Sequence, residues 1–217
     1  MTELVIATKN EKKLHELKRY LKDIDAKVIS LKDFSRPEWN RGRDPAKGEA
    51  HPAGRRVPRI VENGKTFKAN AVKKALVISR FTKGLVLADD SGLAVRALGG
   101  QPGVRSSRFA GPRKSDKQNN RKLLKLLERV PPAKRQAKFI CAVAICNNGK
   151  VVKTIEESCD GVVAFSEKGG YGFGYDPLFL IPKYKETFGE LGLKVKDKMS
   201  HRSKALKKAR EFLRKYI

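Results

Sequence analysis

The sequence predicts an α/β protein, and three stretches carry that prediction. Residues 4–7 (Leu-Val-Ile-Ala) read as a strand that passes through Thr8-Lys9-Asn10 into a helix with Leu14, Leu17 and Leu21 on one face. Residues 85–88 (Leu-Val-Leu-Ala) form a short apolar run between Gly84 and Gly92, as expected of a strand buried on both faces. Residues 139–146 and 151–156, joined by Asn147-Asn148-Gly149-Lys150, read as a β-hairpin.

The remaining elements follow in chain order. Residues 28–31 suit a second strand, after which the composition changes. Residues 35–59 hold Pro37, Pro45, Pro52 and Pro58, no leucine or phenylalanine, and seven arginines and lysines, and are read as a basic Pro/Gly-rich loop insertion. A helix over 67–81 presents Ala71, Ala75 and Ile78 at helical spacing. Ser115 and Gln118 form a capping box before a helix carrying Leu123, Leu124, Leu126 and Leu127, and Pro131-Pro132 ends it. A further strand is read at 160–165. Ser200 caps a last helix with Leu206, Leu213 and Ile217 on one face.

Composition bounds the function classes. A chain of 217 residues, 40% hydrophobic and 33% charged, suits one globular domain with a heavily charged surface. No apolar run approaches membrane-spanning length and no signal-type amino terminus is visible, so a cytoplasmic protein without membrane contact is expected. Cys141, Cys146 and Cys159 lack metal or redox spacing and read as buried reduced thiols. The formal net charge of +26 points to an anionic partner. The basic residues are scattered and no nucleic-acid-binding motif appears, so charge fixes the sign of the ligand and leaves its size open.

Candidate chemistry gathers at four places. Asp89, Asp90 and Ser91 are read at the carboxyl end of the 85–88 strand, where ligands bind in open α/β sheets, with Gly92 permitting an immediate turn. The same Asp-Asp-Ser-Gly also suits a solvated turn. Thr8, Asn10, Lys12 and Lys13 lie at a helix amino terminus, which favours an anion, and equally suit surface capping. Glu62 is a candidate third carboxylate. In the run from Gly169 to Pro177, glycines alternate with Tyr171, Phe173 and Tyr175, offering close backbone approach and stacking faces, or a core bend. His201 and Arg202 occupy the first turn of the last helix, where the dipole disfavours cations, and this suggests an anionic or carbonyl-bearing ligand nearby.

Six motifs together resemble the inosine triphosphate pyrophosphatase family: Thr8-x-Asn10-x-x-Lys13, Glu62-x-Gly64-x-Thr66-Phe67, residues 88–93 (Ala-Asp-Asp-Ser-Gly-Leu), Pro102-Gly103, residues 172–177 (Gly-Phe-Gly-Tyr-Asp-Pro) and Ser200-His201-Arg202. The resemblance implies a long mixed twisted sheet with flanking helices in two lobes around a cleft. It further implies hydrolysis of inosine, deoxyinosine and xanthosine triphosphates to monophosphate and pyrophosphate, with Mg2+ and as a homodimer. By the same resemblance Asp90 is the general base, and Glu62 and Asp90 hold the metal, with Asp89 a further candidate. Thr8, Lys9, Asn10, Glu11, Lys12 and Lys13 hold the triphosphate, and Ser91 contacts substrate. Phe173, Gly174, Tyr175 and Asp176 frame the base with Lys196, His201 and Arg202. One departure stands out: the family's Glu-Asn-Ala is Ala69-Asn70-Ala71 here, so one expected acid is missing and metal stoichiometry stays open. Two rivals are a basic nucleic-acid-binding protein on an inactive scaffold of this type, and a less base-selective nucleotide pyrophosphatase.

Overall fold

The structure is a computed structural model that describes residues 2–34, 58, 60–82, 84–112 and 115–217. The insertion read at 35–59 lies outside these residues, apart from Pro58. Seven strands form one mixed sheet in the order β2-β1-β3-β4-β5-β6-β7. They are β1 (Thr2–Ile6), β2 (Ala26–Ser30), β3 (Leu85–Val95), β4 (Gln136–Asn147), β5 (Lys150–Val163), β6 (Phe179–Ile181) and β7 (Glu186–Thr187). β1 runs parallel to β2 and β3, and the pairs from β3 onward are antiparallel. The helices are α1 (Glu11–Tyr20), α2 (Leu31–Phe34), α3 (Phe67–Thr82), α4 (Asp116–Leu126), α5 (Phe188–Met199) and α6 (His201–Tyr216). Among the described residues no helix is long and apolar enough to cross a membrane.

Period-3.6 faces decide which helix covers which side of the sheet. Leu17 and Leu21 of the α1 region and Leu206, Ala209 and Leu213 of α6 are fully buried against Leu4, Ile6 and Leu87 on one face. Ala71, Ala75 and Ile78 of α3 pack on the opposite face against Val5, Val86 and Ala88. Each large aliphatic side chain so buried stabilises the fold by roughly 1.5–3 kcal/mol. A third core joins Leu93, Val95 and Phe139 to Leu123, Phe179 and Phe188 at the other end of the sheet. Cys141, Cys146 and Cys159 are buried and free, as the sequence predicts. Burial pushes the Cys141 thiol up to about 12, so it stays protonated.

Three local readings are corrected. β3 does not end before the acid pair. It continues to Val95 because β4 pairs with it along its whole length, Asp89 facing Val143 and Asp90 facing Ala142. Gly92 is therefore not a turn residue. A Cβ there would lie 2.2 Å from Ser106 Oγ, so glycine is required by the close approach of the 103–108 segment. The strands read at 151–156 and 160–165 are one strand, β5, paired with β4 along its length with a register shift between Ile145 and Cys146. The sequence reading also missed α5, whose glycines obscure it: Gly192 lies inside the helix at φ 67, a kink that breaks the periodicity.

Candidate active site

Alternation along β3 is what separates the two acids. Successive residues of a strand face opposite sides, so Asp89 and Asp90 do not grip one ion. The Asp89 side chain is fully buried on the α1 and α6 side, where Lys13 Nζ lies 2.8 Å and Arg202 Nε 3.7 Å from its Oδ2. Burial alone would raise its carboxyl. Lys13, Arg202 and Lys74 overcome that and hold it below the usual carboxylate range. Asp89 is thus the counter-ion of Lys13, and its candidacy as a metal ligand is withdrawn.

Asp90 points toward α3. Its Oδ2 accepts a hydrogen bond from Asn70 Nδ2 at 3.0 Å. Lys74 Nζ stands 3.6 Å from Asp90 Oδ1 and 3.7 Å from Glu62 Oε1. Burial raises the Asp90 carboxyl, opposed by Lys74, Lys13 and the Asn70 hydrogen bond. The donor set fits magnesium, which takes one or two carboxylates and leaves its other positions to phosphate oxygens and water. Here two carboxylates already bracket one cation, the Lys74 ammonium. No group of three or more metal-ligating side chains occurs among the described residues.

Asp90, but not Asp89, lines a cavity of about 380 Å³, within the range of small-ligand pockets. Thr8, Lys9, Asn10 and Lys13, at the amino terminus of α1, line it. Asn10 is the helix cap, accepting from the Lys13 N–H at 3.1 Å, while Thr8 Oγ1 accepts from the Asn10 N–H. Glu62, Asp90 and Ser91 line it as well, as do Phe173, Gly174, Tyr175, Asp176, Lys196, His201 and Arg202. Glu11 and Lys12 of the predicted set do not line it, although Lys12 Nζ lies 5.8 Å from the Phe173 ring centre.

The lining around Phe173 is built on a buried ion pair. Asp176 Oδ2 accepts from Lys196 Nζ at 2.6 Å and from the Phe173 N–H at 2.8 Å. Gly172 is left-handed at φ 82, and a Cβ on it would meet Asp176 Oδ2 at 2.1 Å, so this turn admits only glycine. Arg202 donates to Glu16 Oε2 at 2.8 Å and to Ser91 Oγ at 2.7 Å, linking α6 to the residue beside Asp90. The reading of His201 and Arg202 as first-turn cations beside an anionic or carbonyl-bearing ligand is corrected in one respect, the charge of His201. Arg202 is paired through Nη1 and Nη2, while its Nε donates no hydrogen bond to any of the described residues. Burial holds the His201 imidazole well below the usual histidine range, and Arg202, Lys196 and Lys13 push it the same way. His201 is therefore neutral, stacked on Phe139 with ring centres 4.7 Å apart, and its Nδ1 has no protein partner.

A pH dependence follows from that neutral histidine. Unfolded, it titrates near 6.5, so below that pH the unfolded state binds the extra proton. Its contribution to stability is complete above about pH 6.5 and falls as the pH drops toward the depressed native value. The loss grows steadily as the pH falls below 6.5. Denaturant titrations of the parent and of His201→Gln should show a flatter decline between pH 6.5 and 5 in the variant; equal slopes would contradict a neutral buried His201.

The sequence reading missed Lys74, Ser106, Ser107, Asp116 and Phe139 among the cavity residues. For Lys74 a signal existed: with Asn70 and Ile78 it falls at i, i+4 spacing on the buried face of α3, where an unpaired lysine is costly. Ala69, the departure from the family pattern, is exposed on the first turn of α3 and is not among the residues lining the cavity. Ala69→Glu is accordingly expected to change turnover by less than about twofold while adding up to about 1 kcal/mol from the helix dipole. A large gain in activity would show that the missing acid belongs to the site.

Comparison with known proteins gives one consistent result. A family model described as the Ham1 family matches residues 4–212. A dITP/XTP pyrophosphatase of Desulforamulus reducens is 47% identical over 215 residues, covering 99% of this chain and 97% of its own. One from Bacillus licheniformis is 45% identical over 208 residues, 96% of each chain. Among solved structures, a HAM1 protein from Coxiella burnetii superposes with a TM-score of 0.83 at 34% identity over 99% of this chain and 100% of its own. The Staphylococcus aureus Ham1 protein gives 0.81 at 32%, covering all of both chains.

Proposed function

The chain belongs to the Ham1 family, and from that premise we propose that it hydrolyses non-canonical purine nucleoside triphosphates, dITP, ITP and XTP, to the monophosphate and pyrophosphate. The observation that supports this reading is that one cavity is lined together by the helix terminus carrying Thr8, Asn10 and Lys13, by the carboxylates Glu62 and Asp90, and by the rings of Phe173 and Tyr175. A triphosphate laid along it places its anionic end at Thr8, Asn10 and Lys13 and its base at Phe173.

Asp90 is the general base in this proposal. Its environment raises its proton affinity, which favours removal of a proton from an attacking water. Asn70 fixes its orientation. Lys13, held in place by Asp89, and Lys74 offset the charge that builds on the leaving pyrophosphate. Glu62 and Asp90 would hold magnesium, which when bound supplies Lewis-acid polarisation of phosphate and water. At the base end, His201, Lys196 and Arg202 all line the cavity, and the Lys196 ammonium and the Arg202 guanidinium offer donors to a 6-oxo group. An adenine amino group would meet those donors unpaired, a mismatch that discriminates by up to about 10⁴-fold.

The proposal extends to a homodimer acting on the cytoplasmic nucleotide pool. Exposed Phe165, Tyr171 and Leu193 provide apolar surface for self-association, to be checked by sedimentation equilibrium. Catalysis is tested by incubating the protein with dITP and magnesium. Pyrophosphate and dIMP are the expected products, and a chelator should stop their release. Release of orthophosphate would place attack at the γ-phosphorus and overturn the reading.

A further inference from the structure

We infer that Asp116, assisted by Asn120, is a positioning residue that fixes the Phe173 wall of the cavity; this rests on the hydrolase reading of the same site. Gly174, next to Phe173, is left-handed at φ 64. Its N–H donates to Asp116 Oδ2 at 2.9 Å, and its carbonyl accepts from Asn120 Nδ2 at 3.2 Å. Asp116 and Asn120 are four apart on α4, so one helix face presents an acceptor and a donor a turn apart. From the other side Asp176 accepts the Phe173 N–H. The Phe173–Gly174 backbone is thus held between α4 and the Asp176–Lys196 ion pair.

The same turn of α4 also holds the facing rim. Asn119 Oδ1 accepts from the Ala110 N–H at 2.7 Å, and its Nδ2 donates to the Ser107 carbonyl at 3.3 Å. Tyr175 Oη donates to the Ser106 carbonyl at 2.8 Å and ties the two rims together. Helix capping does not account for Asp116, because Ser115 is the cap and accepts from the Gln118 N–H. A carboxylate accepting a backbone N–H makes a charge-assisted bond. The segment it restrains has glycines at 169, 172 and 174, all left-handed, and such a chain samples many conformations once released.

Ordering that segment would then fall on the substrate, at a cost to binding of the base. The phosphate end and Asp90 lie on other elements, so the chemical step should be spared. Asp116→Ala is expected to raise KM for dITP about tenfold, equivalent to about 1.4 kcal/mol, with kcat changed less than about threefold. Inorganic tripolyphosphate, which probes the phosphate end alone, should inhibit the variant and the parent equally. Asp116→Asn keeps an oxygen acceptor and should stay within about threefold of the parent KM. Hydrogen exchange of the amides at 171–176 should be faster in Asp116→Ala than in Asp116→Asn. An unchanged KM in Asp116→Ala, equal damage in Asp116→Asn, or weakened tripolyphosphate inhibition would each overturn the assignment. If the unsubstituted protein fails to hydrolyse dITP, the hydrolase reading falls by itself. The exchange comparison still decides on Asp116, and equal exchange at 171–176 in both variants would sink it.

Discussion

Asp90→Asn is expected to lower kcat for dITP by about 10³-fold, within the range that a positioned general base contributes. The substitution is nearly isosteric and keeps an oxygen for the Asn70 hydrogen bond, so the folded structure should survive. Its stability should change by less than the activity implies. The carboxylate is already raised by burial, and a neutral amide removes that desolvation penalty while giving up the attraction of Lys74. Circular dichroism and thermal unfolding would confirm the fold alongside the rate assay. Turnover within tenfold of the parent would remove Asp90 from the base role.

Lys13→Ala carries the other large effect, and here stability and activity fall together. Lys13 is the nearest charge partner of an Asp89 side chain that is fully buried, and removing one member of a buried pair costs roughly 3–5 kcal/mol. Arg202, at 3.7 Å, offsets part of that cost. The triphosphate end of the cavity also loses its ammonium. The two losses can be separated with the double variant Lys13→Ala, Asp89→Asn. Removing the orphaned charge should recover much of the stability, measured by denaturant titration, and none of the activity. Recovery of both would show that Lys13 serves the fold alone.

How much of this was legible in the sequence depended on whether local and tertiary preferences agreed. β1, α1, α3, the hairpin and α6 were readable because periodicity, caps and turn residues pointed the same way. At Asp89-Asp90-Ser91-Gly92 they conflicted. These are turn-forming residues, yet eleven consecutive pairings with β4 keep them in a strand. Asp89 as a further metal candidate fell for the same reason, since on a continuous strand it faces away from Asp90. The aromatic wall was readable from glycines alternating with rings, whereas the tie from Asp116 to Gly174 spans 58 positions and leaves no local trace. Lys74 shows the opposite case, a lysine in an apolar face whose meaning was available and overlooked.

The most direct test compares kcat/KM for dITP, XTP and ATP with magnesium, counting pyrophosphate released. One cavity that reads the base through donors and cleaves at the α-phosphorus predicts dITP and XTP turnover at least about 10²-fold more efficient than ATP turnover. Equal efficiency for the three nucleotides would contradict base readout at the Phe173 end, and an absence of pyrophosphate from all of them would contradict the catalytic assignment itself.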